Sequence, residues 1–155
     1  MKFEYAEEQL MIQQTAREFA ESEIALSSIE RDKNAIFPTE IIKKLGELGF
    51  MGMMVSPQYD GAGFDTISYV LAMIEISKVD ASVGVIMSVN NSLVTYGLEK
   101  YGSDFIKEKY LKPLASGEKL GAFALSEPEA GSDATRQSTT AQKDGNHWVI
   151  NGMKN

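Results

Sequence analysis

Apolar residues recur at spacings of three and four along most of the chain, the signature of amphipathic helices. Residues 6–31 predict the first helix, with Leu10, Ala16, Phe19, Ala20 and Ile24 near one face. Glu7 and Glu8 sit in its first turn, where negative charge suits the helix dipole, while Ala6 has no side-chain oxygen to serve as a cap. A second helix is predicted from Pro38 to Leu48, with Ile41, Ile42, Leu45 and Leu48 as its apolar face and Gly49 as its stop. Residues 51–65, which carry Pro57, Gly61 and Gly63, read as a loop. Asp65 is placed to cap a third helix over 66–79, with Val70, Leu71 and Ile74 packed inward. Asp80 is placed to cap a fourth, running to about Lys100. Its stretch 81–93 is apolar on most sides, which predicts a position in the middle of a bundle. Gly102 closes that helix, Ser103 caps a short fifth, and Pro113 lies near its end. Asp32, Lys33 and Asn34 read as a loop, and Lys107, Glu108 and Lys109 as a solvated helix face.

The pattern changes at Ser116-Gly117. Residues 121–126 alternate as a strand does, residues 137–143 are rich in Ser and Thr, and Asp144-Gly145 is a hairpin signal before a returning strand over 147–151. The fold class that follows is mainly α: an up-down helical bundle over residues 1–116, then the first strands of a β domain over 117–155. Three short strands are too few to stand alone, so the β domain reads as truncated.

Composition narrows the function classes. At 155 residues the chain forms one domain or slightly more, long enough to bury about 70% of its unfolded surface. Fifteen Lys and Arg against 22 Asp and Glu leave −7, a poor match for phosphate backbones, so no nucleic-acid partner is expected. Cysteine is absent and His147 is the single histidine, which removes disulfides, thiolate nucleophiles, zinc ribbons and multi-histidine metal sites. No apolar run approaches the roughly 18 residues of a membrane span. Met1-Lys2-Phe3-Glu4 opens neither a signal peptide nor a transit peptide. The expectation is a soluble cytoplasmic protein with no membrane partner.

The candidate chemistry lies in Phe123-Ala124-Leu125-Ser126-Glu127-Pro128-Glu129-Ala130-Gly131-Ser132-Asp133. This reads as a strand ending in a polar bend. Backbone groups at a strand end can hydrogen-bond the edge of a flat heterocycle, and the bend can turn N–H groups and the Ser126 and Ser132 hydroxyls toward phosphate oxygens. Gly131 lets the main chain approach a ligand closely. From the residues alone, a plain strand and turn is the simpler reading. Glu127 and Glu129 have the look of an acid–base pair, but beside Pro128 on a bend they read as solvated.

The same segment resembles the flavin-binding signature of the acyl-CoA dehydrogenases: an aromatic residue, two small or apolar residues, Ser or Thr, Glu-Pro, a variable residue, then Ala-Gly-Ser-Asp. Tyr110-Leu111-Lys112-Pro113-Leu114-Ala115-Ser116-Gly117-Glu118 and Ile150-Asn151-Gly152-Met153-Lys154 resemble the runs on either side of it. Phe37-Pro38, Leu48-Gly49, Gly61-Ala62-Gly63 and Asn91-Ser92-Leu93 fall in the family's order, and the texture is similar to the short-chain, butyryl-type members.

What the resemblance implies is oxidation of the Cα–Cβ bond of an acyl-CoA thioester. A glutamate takes the α-proton, the β-hydride goes to N5 of FAD, and electrons pass to an electron-transfer flavoprotein. Phe123, Ala124, Leu125 and Ser126 match positions lining the flavin, and Gly131 and Ser132 match the pyrophosphate region of FAD, with Ser132 also near CoA. Leu93, Thr95 and Tyr96 match the acyl-pocket helix, although from the residues alone core packing is the simpler account of them. The family's next element, Trp-Ile-Thr, would begin where this sequence reaches Asn155. No glutamate here matches the family's base, so no catalytic residue is assigned, and the chain by itself is expected to be inactive. The other reading is a non-catalytic helical module that self-associates, and a homo-oligomer is expected on either.

Overall fold

The computed structural model describes residues 4–155. The reading of the N-terminus on Met1, Lys2 and Phe3 lies outside the described residues. The chain divides into two compact units, one ending at Ala122 and the other spanning Phe123–Asn155.

The first unit is helical. Its elements are α1 (Glu7–Phe19), α2 (Ser28–Asn34), α3 (Thr39–Glu47), α4 (Thr66–Val79), α5 (Ala81–Ser88), α6 (Tyr96–Tyr101), α7 (Asp104–Ile106) and α8 (Lys112–Ala115). The predicted first helix is one helical path that changes pitch. α1 runs into a π-helical turn at Ala20–Ile24, a 3₁₀ turn at Ala25–Ser27, and then α2. Asp32, Lys33 and Asn34 are therefore helical rather than loop, and the stop comes at Ala35, whose left-handed φ of 51° ends α2. The fourth predicted helix likewise spans α5, a π-helical turn at Val89–Thr95, and α6.

The capping signals are realised. Asp65 Oδ1 accepts from the Ser68 amide at 2.7 Å, and Asp80 Oδ1 accepts from the Ser82 and Val83 amides at 2.9 and 3.1 Å. These bonds satisfy amides that a helix start leaves without internal partners. Ala6 caps nothing through its own side chain; instead its amide donates to Gln9 Oε1 at 2.9 Å.

The core gathers Ile12, Ala16, Phe19, Ile24, Leu45, Met51, Met53, Ile76, Val83 and Met87. α1 packs on α4 and α4 on α5. Four predicted core residues are instead exposed: Leu10, Leu48, Val70 and Ile74. In α1 the buried stripe is set by Ile12, Ala16 and Phe19, and Leu10 falls outside it. Leu48 follows the last turn of α3, where Gly49 at φ 76° turns the chain away. α4 is apolar nearly all round, so spacing could not choose its inner face. The structure chooses Tyr69, Ala72 and Ile76. The segment predicted as a loop after α3 supplies core residues Met51, Met53, Val55 and Tyr59, and includes a 3₁₀ turn at Pro57–Tyr59.

Two buried asparagines in the second π-helical turn bind this unit together. Asn90 Nδ2 donates to the carbonyls of Met51 (2.7 Å) and Leu114 (3.0 Å), while its Oδ1 accepts from the Gly121 amide at 2.9 Å. Asn91 Nδ2 donates to Phe50 and Met87 carbonyls at 2.8 and 2.9 Å, and its Oδ1 accepts from the Met53 amide at 2.8 Å. Arg31, also buried, pairs with Asp80 at 2.5 Å and donates to Ser27. One carboxylate thus caps α5 and ties it to α2. Burial pushes the Asp80 carboxyl up, but the Val83 amide and Arg31 outweigh it and hold it below its usual value.

In the second unit, β1 (Thr140–Asp144) pairs antiparallel with β2 (His147–Asn151), with Thr140 opposite Asn151 and Asp144 opposite His147. The two-residue loop is Gly145-Asn146, one position later than the dipeptide that signalled it. Gly145 takes φ 58° while Asn146 does not, as at the first central position of a type II′ turn. The strand expected over 121–126 is not formed: among the described residues the strands are β1 and β2, and 121–126 pair with neither.

Candidate functional site

In the second unit, the bend after residue 126 is a tight backbone turn. The Glu127 amide donates to the Ala130 carbonyl at 3.0 Å, and the Ala130 amide returns a bond to Glu127 at 3.1 Å. The preceding segment has its acceptors occupied. The Leu125 carbonyl accepts from Gln137 Nε2 at 2.6 Å and Lys154 Nζ at 3.0 Å, and the Ser126 carbonyl accepts from the Asn155 amide at 3.0 Å. Its donors are different. Among the described residues, the amides of Phe123, Ala124, Leu125 and Ser126 and the hydroxyls of Ser126 and Ser132 make no hydrogen bond. All six predicted cofactor residues of this segment are exposed. Free donors beside occupied acceptors suit a ligand edge that carries oxygen and nitrogen lone pairs.

Gly131 adds to this. A Cβ built there would meet nothing within 4 Å, and its φ lies outside the left-handed region. The chain's own fold does not require glycine at 131, and the main chain there is open to close approach.

Glu127 corrects the sequence reading. It is not solvated: it is only 3% exposed. Its carboxylate accepts from the Ser138 amide (2.6 Å) and hydroxyl (3.1 Å), the Thr139 amide (3.2 Å) and Lys154 Nζ (2.8 Å). Lys154, followed by Thr139 and Ser138, holds the carboxyl well below the usual carboxylate range. A carboxylate so surrounded by donors resists protonation. Glu129 is exposed, so the two do not form an acid–base pair. Sequence reasoning had one clue to Glu127 that it did not use: Lys154, in the run that resembles the family, is the cation it pairs with.

In the first unit, Leu93 and Tyr96 are about half exposed, at 45% and 48%, whereas Thr95 is fully buried. The Thr95 hydroxyl donates to the Asn91 carbonyl at 3.0 Å, and Tyr96 Oη accepts from Lys100 Nζ at 3.0 Å. Leu93 and Thr95 lie in the π-helical turn, a feature frequent at functional sites. A separate cleft of about 630 Å³, lined by Arg31, Ile36, Phe37, Asp80 and Ile86 among others, contains none of the predicted site residues. No described group of three His, Cys, Asp or Glu is placed to hold a metal ion, and no described helix is long and apolar enough to cross a membrane.

A helical unit of this order, joined to a donor-lined bend and a hairpin, defines a class, and comparison with known proteins supplies its name. The family profile "Acyl-CoA dehydrogenase, N-terminal domain" matches residues 6–118, and the chain belongs to the acyl-CoA dehydrogenase family. It is 46% identical over 154 residues to the short-chain specific acyl-CoA dehydrogenase of Clostridium acetobutylicum, covering 99% of this chain and 41% of that protein. Butyryl-CoA dehydrogenase from Megasphaera elsdenii superposes with a TM-score of 0.92 at 38% identity, over 98% of this chain and 41% of the other. Glutaryl-CoA dehydrogenase from Mycobacterium smegmatis in complex with FADH2 gives 0.91 at 33% identity, over 97% and 39%. The chain thus spans about two-fifths of the length of the relatives it matches.

Proposed function

We propose that these residues supply the helical layer and one cofactor-binding bend of an FAD-dependent dehydrogenase acting on short-chain acyl-CoA thioesters. The observation that carries this reading is the row of free donors over residues 123–126 beside carbonyls that are already bonded. Family membership, the short-chain specificity of the Clostridium relative and the FADH2 bound by the Mycobacterium relative support it. The amides of Phe123, Ala124, Leu125 and Ser126, with the Ser126 hydroxyl, would hold the pyrimidine edge of the flavin. Gly131 and Ser132 would admit the pyrophosphate, and Ser132 the CoA as well. Leu93 and Tyr96 would form part of the acyl-pocket wall, with Thr95 fixing that turn from the core. When bound, FAD supplies the acceptor for the hydride leaving Cβ, and an electron-transfer flavoprotein is the proposed onward partner. We assign the α-proton to no residue of this chain. The functional division proposed is 1–116 for the helical domain and 117–155 for the β portion.

The test is a graft. Residues 1–155 replace the matching segment of the Clostridium relative, and the purified hybrid is desalted from excess FAD. Retained flavin absorbance, with crotonyl-CoA formed from butyryl-CoA and an artificial electron acceptor, is the expected result. A hybrid with normal helical circular dichroism but no flavin sinks the proposal.

One observation favours the second reading, a helical module that self-associates. Trp148, Ile150 and Met153 are exposed on and beside the hairpin, and Leu26 and Ile29 are exposed on the helical unit. On that reading the 155-residue chain forms oligomers by light scattering and its hybrid binds no flavin.

A further inference from the structure

The buried carboxylate at 127 has no part in the functional reading above, yet it sits at the centre of the bend. Its oxygens collect donors from residues 138 and 139 on one side and from Lys154 on the other. Lys154 Nζ is shared: it lies 2.8 Å from Glu127 Oε1 and 3.0 Å from the Leu125 carbonyl. The next residue, Asn155, holds the Ser126 carbonyl. The Glu127 main chain meanwhile closes the turn with Ala130. One residue therefore joins three stretches of chain, 125–130, 138–139 and 154–155, and every acceptor it organises lies beside the four free amides.

We propose that Glu127 is a positioning residue for the cofactor-binding bend, acting through Lys154 to hold the 125–127 backbone so that the amides of residues 123–126 stay presented as a row of donors. This rests on the flavin reading for the identity of the ligand. Glu127 does not itself touch the ligand in this proposal. The pair is buried on the Glu127 side and bonded by charge-assisted hydrogen bonds, which are stronger than neutral ones and fix direction. A carboxylate met by four donors cannot be replaced by an amide without setting donor against donor.

The experiment has two arms. In the 155-residue chain, Glu127→Gln and Lys154→Met are expected to speed hydrogen exchange about tenfold or more at the bonded amides of Glu127 and Ala130, while α1 and α4 exchange as before. Lys154→Arg, which keeps the charge and donors, is expected to stay within about threefold of the original. Unchanged exchange at the Glu127 and Ala130 amides in both disruptive variants overturns the proposal. Lys154→Met leaves Glu127 its bonds from residues 138 and 139, so it decides the matter where Glu127→Gln fails to fold.

In the second arm the same substitutions enter the grafted hybrid. Expected are a flavin dissociation constant raised about tenfold or more and a shifted visible flavin band, both restored by Lys154→Arg. A loss of fold alone would not yield a bound flavin with an altered spectrum. Hybrids carrying Glu127→Gln or Lys154→Met that bind flavin with the original affinity and spectrum overturn the positioning role and leave the proposed function standing. An unsubstituted hybrid that binds no flavin overturns both.

Discussion

Glu75 shows how much a single buried side chain can organise. It is 4% exposed on α4 and accepts from Arg17, Lys78 and Gln13. Arg17 above all, with Lys78 and Gln13, overcomes burial and brings its pKa down from 4.5 to about 2. A carboxyl whose folded-state pKa lies below its unfolded value stabilises the fold above the unfolded value, and that stability is lost as pH falls through the folded one. Acid unfolding should therefore draw on Glu75 between about pH 4.5 and about pH 2. Glu75→Gln should flatten the stability profile across that window, as read by urea melts at a series of pH values. Ala35 presents the opposite case. A non-glycine residue in the left-handed region costs about 1–2 kcal/mol, partly offset by the flexibility glycine adds to the unfolded chain. Ala35→Gly should stabilise by about 0.5–1 kcal/mol, a rise in melting temperature of about 1–4 °C. Neither residue announced itself in the sequence: no spacing or motif singles out Glu75 or Ala35.

The elements were legible to the degree that one chemical signal fixed each of them. Asp65 and Asp80 marked the starts of α4 and α5 because a carboxylate at that position bonds amides that are free in any helix. Inner faces were harder. α3 has polar residues on one side, and Ile41, Ile42 and Leu45 were found correctly; α4 has few, and Val70 and Ile74 were not. Close approaches between elements left no pattern at all. Gly46 of α3 lies against the turn at Ser116-Gly117, and a Cβ on it would fall 2.8 Å from the Ser116 carbonyl oxygen. Gly46→Ala should cost about 1–3 kcal/mol, because backbone rather than a movable side chain must give way. Asn90→Ala strands the Met51 carbonyl and the Gly121 amide and should cost about 2–5 kcal/mol. Urea denaturation followed by circular dichroism checks both, and a change below about 0.5 kcal/mol in either would contradict the packing described.

At the scale of the whole molecule, the candidate site was visible as a motif but not as a mechanism of support. The bend over 123–132 stood out in the sequence, whereas the partners that hold it lie 11, 12 and 27 residues further on, beyond the reach of any local periodicity. The same holds for surface. Spacing cannot tell an apolar residue facing solvent from one facing the core, and Trp148, Ile150 and Leu26 are exposed. A net charge of −7 opposes association and those patches favour it. We expect the patches to win: light scattering should report a mass above 17.1 kDa, and added salt should raise it by screening the repulsion. The widened turn at Val89–Thr95 has a consequence of another kind. Such a turn is a helix carrying one surplus residue without breaking. Removing a single codon there would let the coil relax to regular pitch and leave everything downstream, Tyr96 included, facing much as it does, because the wide turn and the regular one rotate the chain by nearly the same angle. The Asp80 cap upstream would stay where it is. A lineage could in this way gain or shed the wide turn in one step, with no change to the helix on either side of it.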